Sequence, residues 1–204
     1  MKIIKLFKNV ACTFLVASIV VSALAMTGCA EKPDKQKEIN RALNAVTDFL
    51  ANAKDRGNYS SVSVYSDGSI YRYYTDSGKI KIEYKETTTY GIIEDGYIYK
   101  IAQADDLTWH KNNSVYDLSD PEERVANLIT NLNRAPWNDY DNKTKTLKWT
   151  QNDESATVNF DGKEFIFAIV TEKGTTTHII KDVGTTTVVL PEDIIDDTQQ
   201  TDAE

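Results

Sequence analysis

Cysteine and histidine are nearly absent from this chain, whose 204 residues hold two of each. Both cysteines, Cys12 and Cys29, fall in or directly after an apolar N-terminal run. The remainder therefore has no thiol with which to form a disulfide or present a Cys-His nucleophile. His110 and His178 match neither HExxH nor a comparable ligand spacing, and nothing beside them supplies a third metal ligand. They read as ordinary, partly exposed strand positions. No GxSxG elbow offers a strained serine nucleophile. The acid pairs Asp105-Asp106 and Asp153-Glu154 fall in expected turns, where adjacency in sequence does not give an acid and a base with separated pKa values. Asp139-Tyr140-Asp141-Asn142 has oxygen ligands but lacks the glycine and terminal glutamate of a calcium loop, so a solvated loop is expected. Basic residues are in the minority, 23 Lys and Arg against 31 Asp and Glu, and the net charge of −8 argues against nucleic acid and against flat contact with anionic lipid headgroups. The expectation is a protein that is not an enzyme and uses no cofactor and no metal.

What is present begins with an export pattern. Lys2, Lys5 and Lys8 precede an uncharged run over 9–26, which gives way to Met26-Thr27-Gly28-Cys29. That order is a charged n-region, an apolar h-region and a small-residue cleavage site. The last four residues resemble a lipobox, the bacterial lipoprotein motif whose cysteine receives a diacylglyceryl group before cleavage on its amino side. Met26 departs from the Leu, Val or Ile usual there. The resemblance implies a signal peptide over 1–28, lipidation at Cys29, and an extracytoplasmic domain anchored to the cell membrane or an outer membrane. An uncleaved transmembrane anchor is the alternative, but the run is short of the ~20 apolar residues a span needs. Two or more acyl chains, at about 0.8 kcal/mol per buried methylene, hold where one chain is marginal. Cleavage removes three lysines and no acid, taking the net charge from −8 to −11 and leaving 176 residues. At that size a chain buries roughly 70% of its unfolded surface and needs no staples.

Residues 29–35 read as a polar tether carrying Pro33. Ile39, Leu43, Val46, Phe49, Leu50 and Ala53 then recur at helical steps, with Gly57 placed for a left-handed C-terminal cap. From Asn58 the period changes to two. Asp67-Gly68, Ser77-Gly78 and Asp95-Gly96 punctuate alternating runs as hairpin turns. Lys79 to Lys85 alternates most cleanly, with Ile80, Ile82 and Tyr84 on one face and charges on the other, so one side of the sheet is expected to face water. Ser119-Asp120-Pro121-Glu122 opens a second helix with its stripe at Val125, Leu128, Ile129 and Leu132 and Pro136 beyond its end. Strands resume near Lys145 and continue to a last one over 185–190, closed by Pro191, for roughly eleven in all. The acidic residues 192–204 read as a frayed tail.

The fold class expected is α+β, a curved antiparallel sheet packed on an N-terminal and a mid-chain helix, in a single domain over 36–191. The long first helix, the hairpins, the segment Tyr90-Gly91-Ile92-Ile93-Glu94-Asp95-Gly96-Tyr97-Ile98-Tyr99, the mid-chain helix and the ending Val188-Val189-Leu190-Pro191 together resemble the LolA/LolB-like lipoprotein-carrier family. The likeness is one of element order and turns over most of the chain. It implies an unclosed β-barrel with a helical lid and a hollow that holds acyl chains. It carries over no family ligand residue. Bulky side chains suited to line such a hollow are Ile82, Tyr84, Trp109, Trp149 and Phe167, although aromatic strand residues more often simply pack the core. The leading expectation is a lipoprotein that binds a hydrophobic or lipid-like ligand in an apolar cavity. The alternative is a surface module that engages protein or glycan through exposed tyrosine and threonine strands, with a filled core.

Overall fold

Helix α1 (Lys35–Arg56) starts where Asp34 accepts a hydrogen bond from the Gln36 backbone N–H at 3.2 Å. It stops at Gly57, whose φ of 55° lets its N–H reach back to the Ala53 and Lys54 carbonyls. Helix α2 (Pro121–Arg134) has Asp120 as its cap, 2.7 Å from the Glu122 N–H, and Pro121 in its first turn. Ala135 ends it in an extended conformation, as Pro136 demands of the residue before it. The computed structural model describes residues 34–113, 120–151 and 153–198. The expected signal peptide, Cys29 and all of the tether before Asp34 lie outside the described residues.

Among the described residues, twelve strands form one sheet. They are β1 (Asn58–Val64), β2 (Ile70–Asp76), β3 (Lys79–Tyr84), β4 (Thr87–Glu94), β5 (Tyr97–Gln103), β6 (Trp109–Asn112), β7 (Asp139–Asp141), β8 (Thr146–Gln151), β9 (Glu154–Phe160), β10 (Phe165–Thr171), β11 (Gly174–Lys181) and β12 (Ile194–Asp196). The order β12-β6-β5-β4-β3-β2-β1-β11-β10-β9-β8-β7 joins two meanders through the β1–β11 pair, and the end strands β12 and β7 do not pair with each other. The α+β class with an unclosed sheet and a packed N-terminal helix is therefore what forms. Every pairing is antiparallel except β12 on β6.

Register fixes which side chains share a face. One inner-face row runs Tyr84, Tyr71, Ser63, His178, Phe167, Val158, Leu147, and the next runs Ile82, Tyr73, Ser61, Ile180, Phe165, Phe160. The core lies between this face and the helices, where Ile39, Val46, Leu50, Val125 and Leu132 join Tyr73, Ile80, Phe165 and Val158 in one buried cluster. Helix α1 touches β7, β8, β1 and α2. Helix α2 is pinned above β1 by the Tyr59 hydroxyl, which donates to the Pro121 carbonyl at 2.9 Å.

Two expectations change at the C-terminal end. Residues 185–190 do not join the sheet. They run over its outer face, held by side chains in place of a ladder: Asn58 accepts from the Thr186 N–H and donates to the Thr186 carbonyl, both at 2.8 Å, and Asp76 accepts from the Val188 N–H at 3.3 Å. Residues 194–196, expected to fray, pair with Trp109–Lys111 as β12. Alternation such as Thr185 to Leu190 signals an extended chain but not its partner. An aspartate and an asparagine projecting outward from β1 and β2 supply that partner here. The strand β7 likewise replaces an expected loop, because Tyr140 faces Leu147 across the pair and packs on the core.

Candidate functional site

The expected ligand-lining residues do not converge on one place. Ile82 and Phe167 are on the inner face, only 6% and 4% exposed, inside the main cluster. Tyr84 ends β3 half-buried, 6.1 Å from the Tyr71 ring, with the Lys85 ammonium 5.1 Å from its own ring. Trp149 packs against the core across from Ala156. Trp109 is on the opposite side of the sheet: it stands edge-on to Tyr90 at 5.3 Å and lines a groove with Val189, Leu190 and Pro191. The period-two count places Trp109 on a strand, but only the pairing of β5 with β6 reveals its face.

A cleft of about 350 Å³ opens between α2 and the β1–β11 seam, lined on the sheet side by Ser61, Ser63, Tyr65 and His178 and on the helix side by Arg124, Leu128 and neighbours. Strand alternation turns Tyr59, Ser61 and Ser63 inward, so small hydroxyl side chains occupy the middle of an otherwise bulky face. Both serines are buried. Arg124, one turn into α2, projects into the space this leaves. Its Nη2 donates to Ser61 Oγ and to Ser63 Oγ, each at 3.3 Å. Its guanidinium carbon is 5.3 Å from the Tyr71 ring centre and 5.0 Å from that of Tyr73, cation–π contacts that hold the group in place.

Ser63 Oγ is also 2.9 Å from His178 Nδ1. Burial first and the Arg124 charge second hold the His178 pKa below its ordinary value, so the ring is neutral near pH 7. Burial pushes the Tyr59 and Tyr73 hydroxyls well above the usual phenol range and raises that of Tyr71, with Arg124 opposing the rise in each. These tyrosines stay protonated and serve as donors and ring surfaces only. His110 is elsewhere: its Nδ1 is 2.7 Å from Asp197 Oδ2 and its Nε2 2.6 Å from Thr108 Oγ1. Five strands separate β6 from β11, so the two histidines share no site.

Arg124, Ser61 and Ser63 did not stand out in the sequence. The signal was faint but present: the run Ser60-Ser61-Val62-Ser63 puts polar side chains at two inward positions of a strand, and Arg124 directly abuts the apolar stripe of its helix. A second, smaller hollow of about 200 Å³ lies between α1 and β7–β9, walled by Ala42, Val46, Leu147, Val158 and Phe160. Among the described residues no helix is long and apolar enough to cross a membrane. No protein-family model matches the chain, and no curated protein matches it.

Proposed function

We propose that this chain is a membrane-tethered extracytoplasmic lipoprotein whose domain binds a hydrophobic, lipid-like ligand without covalent chemistry. The observation that carries the reading is the cleft of about 350 Å³ beneath α2, a volume within the range of small-molecule sites. Its walls set Tyr65 and Leu128 beside buried hydroxyls, a guanidinium and the polar side chains of Asn127 and Asn131, a combination suited to a ligand with a short apolar body and a polar tip. Two features support the LolA/LolB-like arrangement, a sheet curved into an unclosed barrel with the helices as its lid. The end strands stay unpaired with one another, and both helices contribute to the core on one face of the sheet. In that arrangement α2 is the part of the lid that closes over the cleft.

The Ser63–His178 contact favours binding over catalysis. Nucleophilic attack by a serine passes its proton to the imidazole. Burial and the neighbouring Arg124 both oppose a positive charge on His178, and no described carboxylate hydrogen-bonds to the ring to orient it. No metal, cofactor or nucleic acid enters this reading.

Two measurements test it. Cys29→Ser should move the protein from the membrane fraction to the soluble one, and unchanged retention would remove the lipoprotein half of the proposal. That soluble full chain, purified without detergent, should carry a co-purifying ligand in native mass spectrometry and should bind a hydrophobic fluorescent probe displaceably. If neither is seen, the domain is not a carrier. The tyrosine- and threonine-bearing strands, where Tyr97 is 64% exposed, then become the surface through which it engages protein or glycan.

A further inference from the structure

Arg124 carries a charge that no ion pair with another described residue neutralises. Among the described residues no carboxylate stands within ion-pair distance of it. Asp120, one turn earlier on the helix, uses Oδ1 to cap the Glu122 N–H. Among the described residues Glu123 is the one carboxylate lining the cleft, and it is exposed at the rim. A guanidinium offers five N–H donors in a rigid fork. Only Nη2 is engaged by the serines, and both bonds, at 3.3 Å, are long compared with the roughly 2.7–2.9 Å of a charge-assisted contact. The two tyrosine rings fix the group without neutralising it. What the cleft holds, then, is a positioned cation, two buried hydroxyls and a neutral imidazole, in a chain whose net charge is −8.

We propose that Arg124, Ser61 and Ser63 form a clamp for an anionic oxygen group, a carboxylate or a phosphate monoester, at the tip of the ligand, with the apolar remainder lying along Leu128 and Tyr65. The inference rests on the reading of this cleft as the ligand site, and it adds the chemical class and the orientation of what enters. Carboxylate and phosphate oxygens match the guanidinium fork with two parallel hydrogen bonds, which an uncharged ester or alcohol does not match. Ser61 and Ser63 meet Arg124 through oxygen lone pairs, so each can turn its hydroxyl proton onto an incoming oxygen, Ser63 in the tautomer in which His178 Nδ1–H donates to it. His178 stays uncharged and adds no second cation, so a singly or doubly charged head is preferred over a polyanion.

The test uses the full chain carrying Cys29→Ser and a fluorescent amphiphile, 11-(dansylamino)undecanoic acid, beside its methyl ester, which has the same body and no charge. The acid should bind at least tenfold more tightly than the ester. Arg124→Gln should weaken the acid to the level of the ester and leave the ester unchanged, Arg124→Lys should recover part of the loss, and Ser61→Ala/Ser63→Ala should cost a further few-fold. Circular dichroism and the melting temperature of each variant separate a lost clamp from a lost fold. Dodecyl phosphate and inorganic phosphate are the competitors that identify the source of the anion. Displacement by dodecyl phosphate alone supports an amphiphile, and displacement by both, dependent on Arg124, supports an anion clamp that also takes the free ion. Equal binding of acid and ester, unaffected by Arg124→Gln, overturns the clamp while leaving a hydrophobic carrier intact. Binding of neither overturns the carrier reading as well.

Discussion

Gly174→Ala tests how tightly the mouth of the cleft is built. Gly174 opens β11 with φ of +115°, a conformation that side-chain-bearing residues rarely adopt, and a Cβ placed on it would lie 2.5 Å from Ser66 Cβ. Ser66 follows Tyr65, which lines the cleft, so this approach presses the β1–β2 loop against the β10–β11 hairpin. Both colliding atoms are Cβ carbons fixed by backbone, and no rotamer change separates them. Alanine at such a φ costs about 1–3 kcal/mol, and forcing an extra methyl into a filled contact costs about 1–3 kcal/mol more. Ser66 is exposed and its loop can move, so the lower ends apply, giving about 2 kcal/mol. For a domain of this size that is a fall of about 4–8 °C in Tm. Urea unfolding followed by tryptophan fluorescence supplies the free energy, and the same measurement on Ser66→Gly and on the double variant closes the cycle. Ser66→Gly in the Gly174→Ala background should restore about 1 kcal/mol, the contact share, and leave the φ share. A loss below about 0.5 kcal/mol for Gly174→Ala, or no rescue by the second change, would contradict this account of the contact.

Three further outcomes are expected. Leu50→Ala empties a position with no solvent exposure between α1 and the sheet and should cost about 2–5 kcal/mol in the same assay. Tyr59→Phe removes the buried bond to the Pro121 carbonyl. It should lower stability by about 1–2 kcal/mol and speed hydrogen exchange at the first turn of α2 more than in α1. The third concerns pH: because burial and Arg124 hold His178 below its ordinary pKa, the unfolded chain binds more protons there than the folded one. Its share of stability is therefore full above the unfolded value of about 6.5 and is lost as pH falls below it. His178→Gln should flatten that part of the stability profile, and an unchanged slope would contradict it.

Much of the architecture was legible because local chemistry wrote it. Gly57 ends α1 in the left-handed conformation its position suggested, and Asp120-Pro121 begins α2, since caps and first turns depend on residues within a few positions. Turns such as Ser77-Gly78 and Asp95-Gly96 carry the positive φ angles that hairpins of this kind require. Alternation over Lys79 to Lys85 separated a buried from a charged face, as Ile80 and Ile82 against Lys81 and Glu83 bear out.

The outer strap and the cleft were not legible, for one shared reason. Asn58 and Asp76 bind the backbone at 186 and 188 from more than a hundred residues away, and Arg124 meets Ser61 and Ser63 at separations above sixty. Periodicity states that a residue alternates but not which strand faces it, so Trp109 could be placed on a strand and not on a side. Neighbours along the chain set both helices with their ends and most of the hairpin strands, and these were readable directly. That the meanders join at β1 and β11, and that the Arg124 guanidinium rests on two inward serines, came from tertiary structure, because both depend on which distant segments hydrogen-bond.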